Sequence, residues 1–266
     1  KTRLEKARRI VVKVGSALLV DEKSGTLKAS WLSSLVDDIA DLRVSGAEVI
    51  LVSSGAIALG RRTLGLPKGK LELPQKQAAA AVGQIALSGH WAQLLSEQGL
   101  TAAQMLLTLD DLENRRRYLN AAATLERLLS LGVVPVINEN DSVATTEIRF
   151  GDNDRLAARI GQAARADAVV LLSDVDGLYT ANPHNNPNAK LVREVKRIGA
   201  DILAMADGGS GSGMGSGGMA SKIEAARIAT SAGAHLAIIS GDLSRPLSAW
   251  EAGANSTIFL AQGAAA

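Results

Sequence analysis

Short apolar segments alternate along the chain with longer segments in which apolar residues recur at the spacing of a helix. The short segments are rich in β-branched residues and apolar at successive positions, which predicts strands buried on both faces, as in a parallel sheet. The predicted strands are RIVVKV (9–14), EVILVS (48–53), VVPVIN (133–138), AVVLLS (168–173) and LAIIS (236–240). The predicted helices are 30–45, 55–64, 75–98, 110–131, 153–165 and 219–232.

This alternation predicts an α/β fold with an open, mainly parallel β-sheet sandwiched between helices. Such sheets bind ligands at the carboxyl ends of their strands, so the residues that follow each strand are the first candidates for function. Two polar segments, 139–154 and 174–200, separate the regular elements. We predict that the first is a hairpin protruding from the ligand-binding edge of the sheet.

Composition narrows the possible partners and the available chemistry. The chain has 266 residues, 29 Lys and Arg against 27 Asp and Glu, and 3% aromatic residues, so neither a polybasic surface nor a stacking platform for nucleic acid is indicated. It lacks an apolar run of about 18 residues and a cleavable leader pattern, so we expect a cytoplasmic protein without a membrane partner. The absence of cysteine and the wide spacing of the histidines argue against disulfides, thiol nucleophiles and zinc sites.

The first two predicted strands end in groups that could bind an anion. Lys13 lies inside the apolar run VVKVGS, where a lysine either snorkels to the surface or serves a phosphate. The second strand ends in VSSGAIALG, in which Ser53 or Ser54 could simply cap the following helix. Alternatively, the N–H groups of Gly55 and Ala56, together with the helix dipole, form an anion site.

The third and fourth strands are followed by carboxylates and amides. VINENDSVA and GDNDRLAARI bring together Glu139, Asp141, Asp152, Asp154, Asn138, Asn140 and Asn153. The simple interpretation is a solvated loop with Asp152 or Asn153 as a helix cap, and for Asp152 we favour this interpretation over a role in binding. Carboxylates among amides can also pair with a lysine or hold an ammonium group, which would suit an amino-acid ligand. In LLSDVDGLYT, Ser173 and Asp174 either start a turn or contact the base or ribose of a nucleotide.

The glycine-rich segment GSGSGMGSGGMASKIEAARIAT (209–230) runs directly into a predicted helix. It is not a Walker A loop, because Lys222 follows Gly218 at a distance of four, and its G-x-G-x-x-G match at 213–218 has no preceding strand. A flexible linker is the alternative suggested by composition. The immediate start of a helix with Lys222 in its first turn favours a loop whose N–H groups wrap phosphate oxygens.

In this order and at these spacings the motifs resemble the amino acid kinase family, and within it the branch that acts on glutamate. The resemblance covers about residues 9–261, and its most specific part is INEND followed by GDND. It implies transfer of the γ-phosphoryl group of ATP, with Mg²⁺, to the side-chain carboxylate of L-glutamate. The product is glutamyl 5-phosphate, in the first step of proline biosynthesis. It also implies feedback inhibition by proline and a homo-oligomer.

The resemblance further implies a role for individual residues. Lys13 and Lys222 would stabilise the transferring phosphoryl group, and Asp154 would orient both lysines. The residues implied for glutamate are Ser54, Gly55, Asp141 and Asn153. Those implied for the nucleotide are Lys13, Ser173, Asp174, Ser216, Gly217, Gly218, Met219, Ala220, Ser221 and Lys222. A hydroxyl residue is common in the family where this chain has Ala220, so no side-chain hydrogen bond to the nucleotide is expected at that position. No protein ligand is assigned to Mg²⁺.

We expect a single amino acid kinase domain over 1–266, without the C-terminal PUA domain of RNA-binding type that many family members carry. A glutamate side chain has a pKa of about 4.3, so the attacking carboxylate is already ionised and needs no general base. Two alternatives stay open. A sister kinase for N-acetylglutamate, aspartate or a nucleoside monophosphate should lack the INEND arrangement, and a non-catalytic ATP-binding sensor should lack a catalytic lysine.

Overall fold

A computed structural model describes residues 6–143, 152–207 and 218–262, which form two compact units. The amino-terminal unit comprises residues 14–143, and the carboxyl-terminal unit comprises residues 6–13 together with 152–207 and 218–262. None of the helices within these ranges is both long enough and apolar enough to cross a membrane.

The amino-terminal unit is built on parallel strands in the order β3, β4, β2. Its elements are α1 (Ser16–Leu19), α2 (Ala29–Val44), β2 (Glu48–Ser53), α3 (Ala56–Thr63), α4 (Leu73–Glu97), β3 (Ala102–Leu107), α5 (Leu109–Glu113), α6 (Arg115–Ser130) and β4 (Val134–Glu139). Strands β2 and β4 are buried at all but one of their positions, so both of their faces are covered.

Helices α3 and α4 pack with their backbones in close approach. A Cβ atom on Gly60 would lie 1.7 Å from the carbonyl oxygen of Ala79, and one on Gly83 would lie 1.8 Å from that of Ala56. Only glycine fits at either position, since the obstructing atoms belong to backbone. Helix α4 therefore fixes the position of α3, which begins directly after the Ser54–Gly55 turn.

The carboxyl-terminal unit has the strand order β1, β5, β9, β10, β8, with a separate pair formed by β6 and β7. Its elements are β1 (Arg9–Val14), α7 (Asp152–Ala163), β5 (Ala168–Ser173), β6 (Leu178–Tyr179), β7 (Leu191–Val192), β8 (Glu194–Val195), α8 (Ala200–Asp207), α9 (Met219–Ser231), β9 (His235–Ser240), α10 (Pro246–Glu251) and β10 (Ser256–Phe259). The last residue of β1, Val14, is counted with the amino-terminal unit. Strands β5 and β9 are parallel, and β10 runs antiparallel to β9.

The predicted α/β fold with a mainly parallel sheet between helices is confirmed, and each predicted strand is present to within one residue at either end. The single helix predicted over 110–131 is wrong. It is two helices, α5 and α6, because the side chain of Asn114 accepts hydrogen bonds from the N–H groups of Arg116 and Arg117 and starts a new helix. The segment 174–200 contains the short strands β6, β7 and β8. Of the predicted hairpin over 139–154, residues 144–151 lie outside the described residues.

Candidate active site

Two lysines in the carboxyl-terminal unit share one buried carboxylate. The Nζ atom of Lys13 in β1 lies 2.8 Å from Oδ1 of Asp154 in α7, and the Nζ atom of Lys222 in α9 lies 3.1 Å from Oδ2 of the same residue. The three residues are 8%, 0% and 6% exposed, in the order Lys13, Asp154, Lys222. Because little water can reach these charges, each lysine depends on Asp154 for its compensation.

Burial and mutual attraction set the protonation of this cluster. Burial raises the pKa of Asp154, but the charges of Lys13 and Lys222 outweigh it and hold that pKa below its usual range. Burial lowers the pKa of Lys13; Asp154 opposes this effect, while the positive charge of Lys222 adds to it. Asp154 is therefore ionised at neutral pH, and it holds the two lysine side chains side by side.

Local packing explains why these side chains meet. Lys13 lies between Val12 and Val14, which are both fully buried, so its side chain leaves the strand within the core and not at the surface. In α7, a Cβ atom on Gly161 would lie 2.7 Å from Cγ2 of Val169, so glycine lets the helix lie close against β5. That approach brings the first turn of α7, with Asp154, towards the strand ends.

The end of β5 forms a turn close to this cluster. The hydroxyl of Ser173 donates a hydrogen bond of 3.0 Å to Oδ1 of Asp174 and accepts one of 3.3 Å from the N–H group of Val175. Ser173 is buried and Asp174 is exposed. The charge of Asp174 contributes to the pKa of Lys13, which places that carboxylate within electrostatic reach of the lysine.

Helix α9 begins where the sequence predicts, at Met219, with Gly218 as its N-cap residue. The N–H groups of Ser221 and Lys222 donate to the carbonyl oxygen of Gly218, at 3.0 and 3.4 Å. Lys222 thus lies in the first turn, where the partial positive charge of the helix end adds to its own. Ala220 is exposed. Ser216 and Gly217, also predicted to bind nucleotide, lie outside the described residues.

In the amino-terminal unit, the Ser54–Gly55 turn leads into α3. The N–H group of Ser54 donates to the carbonyl oxygen of Val14 at 3.2 Å. Gly55 has a φ of +101°, in the left-handed region that favours glycine. Behind the turn, the indole N–H of Trp91 in α4 donates to the hydroxyl of the buried Ser53 at 2.9 Å.

A cavity of about 260 Å³ lies where β4 ends in the same unit. Its lining residues are Ala80, Ala81, Gln84, Ile85, Gln104, Leu106, Glu139, Asn140, Asp141 and Ser142. Asp141, predicted to bind substrate, is half-buried in this wall. Sequence reasoning missed Gln84 and Gln104. The available signal was weak, because Gln84 is one of four glutamines in α4 and Gln104 lies in a strand that was not predicted.

The predicted site residues therefore divide between the units. Lys13, Asp154 and Lys222 meet, and the end of β5 is near them. Ser54, Gly55 and Asp141 belong to the amino-terminal unit, whereas Asn153 precedes Asp154 in α7. In the described parts of the chain, no cluster of three or more acidic or histidine side chains could hold a metal ion by itself.

Comparison with known proteins gives close relatives. A model of the amino acid kinase family matches residues 8–240. A glutamate 5-kinase from Sphingopyxis alaskensis is 64% identical over 255 residues, which are 96% of this chain and 68% of that protein. A glutamate 5-kinase from Zymomonas mobilis is 59% identical over 264 residues, which are 99% of this chain and 66% of that protein. The chain thus spans about two thirds of the length of these relatives.

Solved structures agree on the fold. Carbamate kinase from Giardia lamblia bound to AMP-PNP superimposes with a TM-score of 0.67 at 14% identity, over 96% of this chain and 99% of that one. At this identity the likeness concerns the fold alone. The family match extends over most of the sequence, and the chain belongs to the amino acid kinase family.

Proposed function

We propose that this chain transfers the γ-phosphoryl group of ATP to the side-chain carboxylate of L-glutamate, which gives glutamyl 5-phosphate in the first step of proline biosynthesis. The observation that carries this proposal is the high identity, over nearly the whole chain, to proteins named glutamate 5-kinase. The Lys13–Asp154–Lys222 cluster supplies the chemistry that such a transfer needs.

The two lysines stabilise the phosphoryl group during transfer. The transferring group carries negative charge on its equatorial oxygens, and positioned cations are the main catalytic device for it. Asp154 holds both ammonium groups at fixed positions before the substrates arrive, so little reorganisation is needed during the reaction. Neither lysine has to act as an acid or a base, since the attacking carboxylate is ionised at neutral pH.

The nucleotide binds at the carboxyl end of β5 and the amino end of α9. Ser173 and Asp174 contact its base or ribose, and the residues from Ser216 to Lys222 line the site of its phosphates. Mg²⁺ would be held largely by the phosphate oxygens, and it would neutralise part of their charge. At Ala220 the backbone conformation matters here more than the methyl side chain.

The acceptor binds in the amino-terminal unit, and the role that the resemblance implies for Asn153 stays a prediction. Asp141 pairs with the α-ammonium group of glutamate from the cavity wall, and the N–H groups of Gly55 and Ala56 receive a carboxylate. Half-burial of Asp141 strengthens such an ion pair relative to one in open water.

An ATP-consumption assay across a panel of amino acids tests this function. We expect ADP formation with L-glutamate, and much less with N-acetylglutamate, aspartate or a nucleoside monophosphate. Preference for one of those acceptors would indicate a sister kinase. ATP binding without ADP formation on any acceptor would indicate a non-catalytic sensor.

The resemblance also supports a single domain, a cytoplasmic location, a homo-oligomer and inhibition by proline, which resembles a cyclised glutamate. Proline should compete with glutamate, so added proline should raise the KM for glutamate and leave the maximal rate unchanged. Light scattering of the purified chain measures its oligomeric state.

A further inference from the structure

We infer that Gln84 in α4 is a positioning residue for the acceptor-binding turn at the end of β4. This inference rests on the proposed function, because it deepens the account of the cavity that contains Asp141. Gln84 lines that cavity and is half-buried.

Gln84 holds the side-chain amide of Asn138 in one orientation. Its Oε1 atom accepts a hydrogen bond of 2.8 Å from Nδ2 of Asn138, which is 3% exposed. The Oδ1 atom of Asn138 accepts from the backbone N–H group of Glu139, also at 2.8 Å. An amide can be reversed end for end, and only its partners decide which end donates. With an acceptor on one side and a donor on the other, Asn138 has one favourable orientation.

The side chain of Gln84 is itself held by a second hydrogen bond, to Ser88. Its Nε2 atom donates a hydrogen bond of 3.1 Å to the hydroxyl of Ser88, one turn further along α4. That hydroxyl also contacts Oε1 of Gln104 in β3. The polar chain Gln104–Ser88–Gln84–Asn138 therefore connects β3, α4 and β4 along one side of the cavity. Asn138 is the buried member of this chain, and an unpaired buried amide is costly, so its hydrogen bond to Gln84 favours a single arrangement.

Asn138, the last residue of this polar chain, is followed directly in the sequence by the residues of the turn. Asn138 holds the N–H group of Glu139, and the N–H group of Asn140 donates to the carbonyl oxygen of Leu107 at 2.9 Å. Asp141 follows immediately. A shift of this backbone would move the Asp141 carboxylate relative to a bound ammonium group. Gln84 therefore acts on acceptor affinity through Asn138, and the Lys13–Asp154–Lys222 cluster belongs to the other unit.

The test is steady-state kinetics of Gln84→Met and Gln84→Glu. Methionine keeps the length of the side chain but cannot accept from Asn138, whereas glutamate keeps the acceptor. We expect Gln84→Met to raise the KM for the acceptor about tenfold, with kcat and the KM for ATP changed by less than about threefold. Gln84→Glu should recover most of this loss. Gln93→Met is the matched control, since Gln93 is an exposed residue of the same helix that bonds only Glu97 among the described residues.

Two results would overturn the inference. One is an acceptor KM for Gln84→Met equal to that of the control. The other is equal damage in Gln84→Met and Gln84→Glu, which would indicate packing and not orientation. If Gln84→Met fails to fold, Ser88→Ala gives the same readout, with an expected rise of about threefold in the acceptor KM and an unchanged KM as the contradicting result. The wild-type chain is first assayed on the amino-acid panel, and its best acceptor is used throughout, so failure of the glutamate assignment is seen separately from failure of the role of Gln84.

Discussion

The ammonium group of Lys222 lies 3.1 Å from a carboxylate oxygen of Asp154, although the two residues are separated by 68 positions in the sequence. Asp154 is completely buried and also holds Lys13 through its second oxygen. One carboxylate thus fixes two cations that come from a strand and a helix. The account of catalysis depends on this shared contact.

Replacing Lys222 with alanine should lower kcat by about 10²-fold or more while ATP still binds. The reason is that a lysine meeting the charge that develops during transfer acts mainly in the transition state. Turnover and ATP affinity are measured on the same preparation. Lys196→Ala, which removes an exposed lysine of the same unit, is the control. Near-normal turnover in Lys222→Ala would mean that the loop before α9 does not serve phosphate.

Replacing Asp154 with asparagine should destabilise the protein by about 3 kcal/mol at pH 7, because two buried lysines lose their counter-charge. The folded-state pKa of Asp154 lies below its unfolded value, so its stabilising contribution is present above about pH 4 and is lost as the pH falls through the folded pKa. The difference between wild type and variant should therefore shrink as the pH is lowered below 4. Urea unfolding at several pH values measures it, with the exposed Asp110→Asn as control. A difference that stays constant down to the lowest pH would contradict the pairing.

ATP affinity should fall at alkaline pH, below the ordinary lysine pKa of about 10.4. Burial lowers the pKa of Lys13 in the folded protein, so rising pH removes its proton early. With that proton goes the positive charge that we propose binds phosphate. In Lys13→Arg the guanidinium stays charged, and whatever affinity remains should not show this fall. Calorimetric titration of ATP from about pH 7 to 10 compares the two proteins. The same fall in both would assign the effect to another group.

Replacing Asp141 with alanine should raise the KM for glutamate much more than it changes kcat. A carboxylate that pairs with the ammonium group of the substrate contributes similarly in the ground state and the transition state. Glu113→Ala, an exposed acidic residue of the same unit, is the control. If Asp141→Ala kept a normal KM and lost turnover, Asp141 would have a catalytic or structural role instead.

The sequence predicts the elements that local patterns specify, and it does not predict those that depend on contacts between distant residues. Strand β1 and the start of α9 were found correctly, because β-branched runs and a glycine segment followed by helical periodicity are local patterns. Strand β3 was missed because AAQMLL consists largely of residues that favour helices, and its pairing with β4 decides its structure. The meeting of Lys13, Asp154 and Lys222 was suggested only by resemblance to a family, since no local pattern connects residues so far apart.

The role of Gln84 could not be predicted from the sequence for the same physical reason. Its structural role depends on a hydrogen bond to Asn138, 54 positions away, and on the close packing of α3 and α4 that fixes the position of α4. In the sequence it is one polar residue in an alanine-rich helix. Polar residues in such positions acquire a function only through partners that folding supplies.

Trapping of the product with hydroxylamine tests the central claim most directly. Transfer to the side-chain carboxylate gives an acyl phosphate, a mixed anhydride that hydroxylamine opens to a γ-hydroxamate. With enzyme, MgATP and L-glutamate, we expect hydroxamate in proportion to the ADP formed. N-acetylglutamate should give far less, because acetylation removes the ammonium charge and adds bulk beside Asp141. Equal yields from the two acceptors, or a higher yield from N-acetylglutamate, would contradict the assignment of glutamate as the substrate.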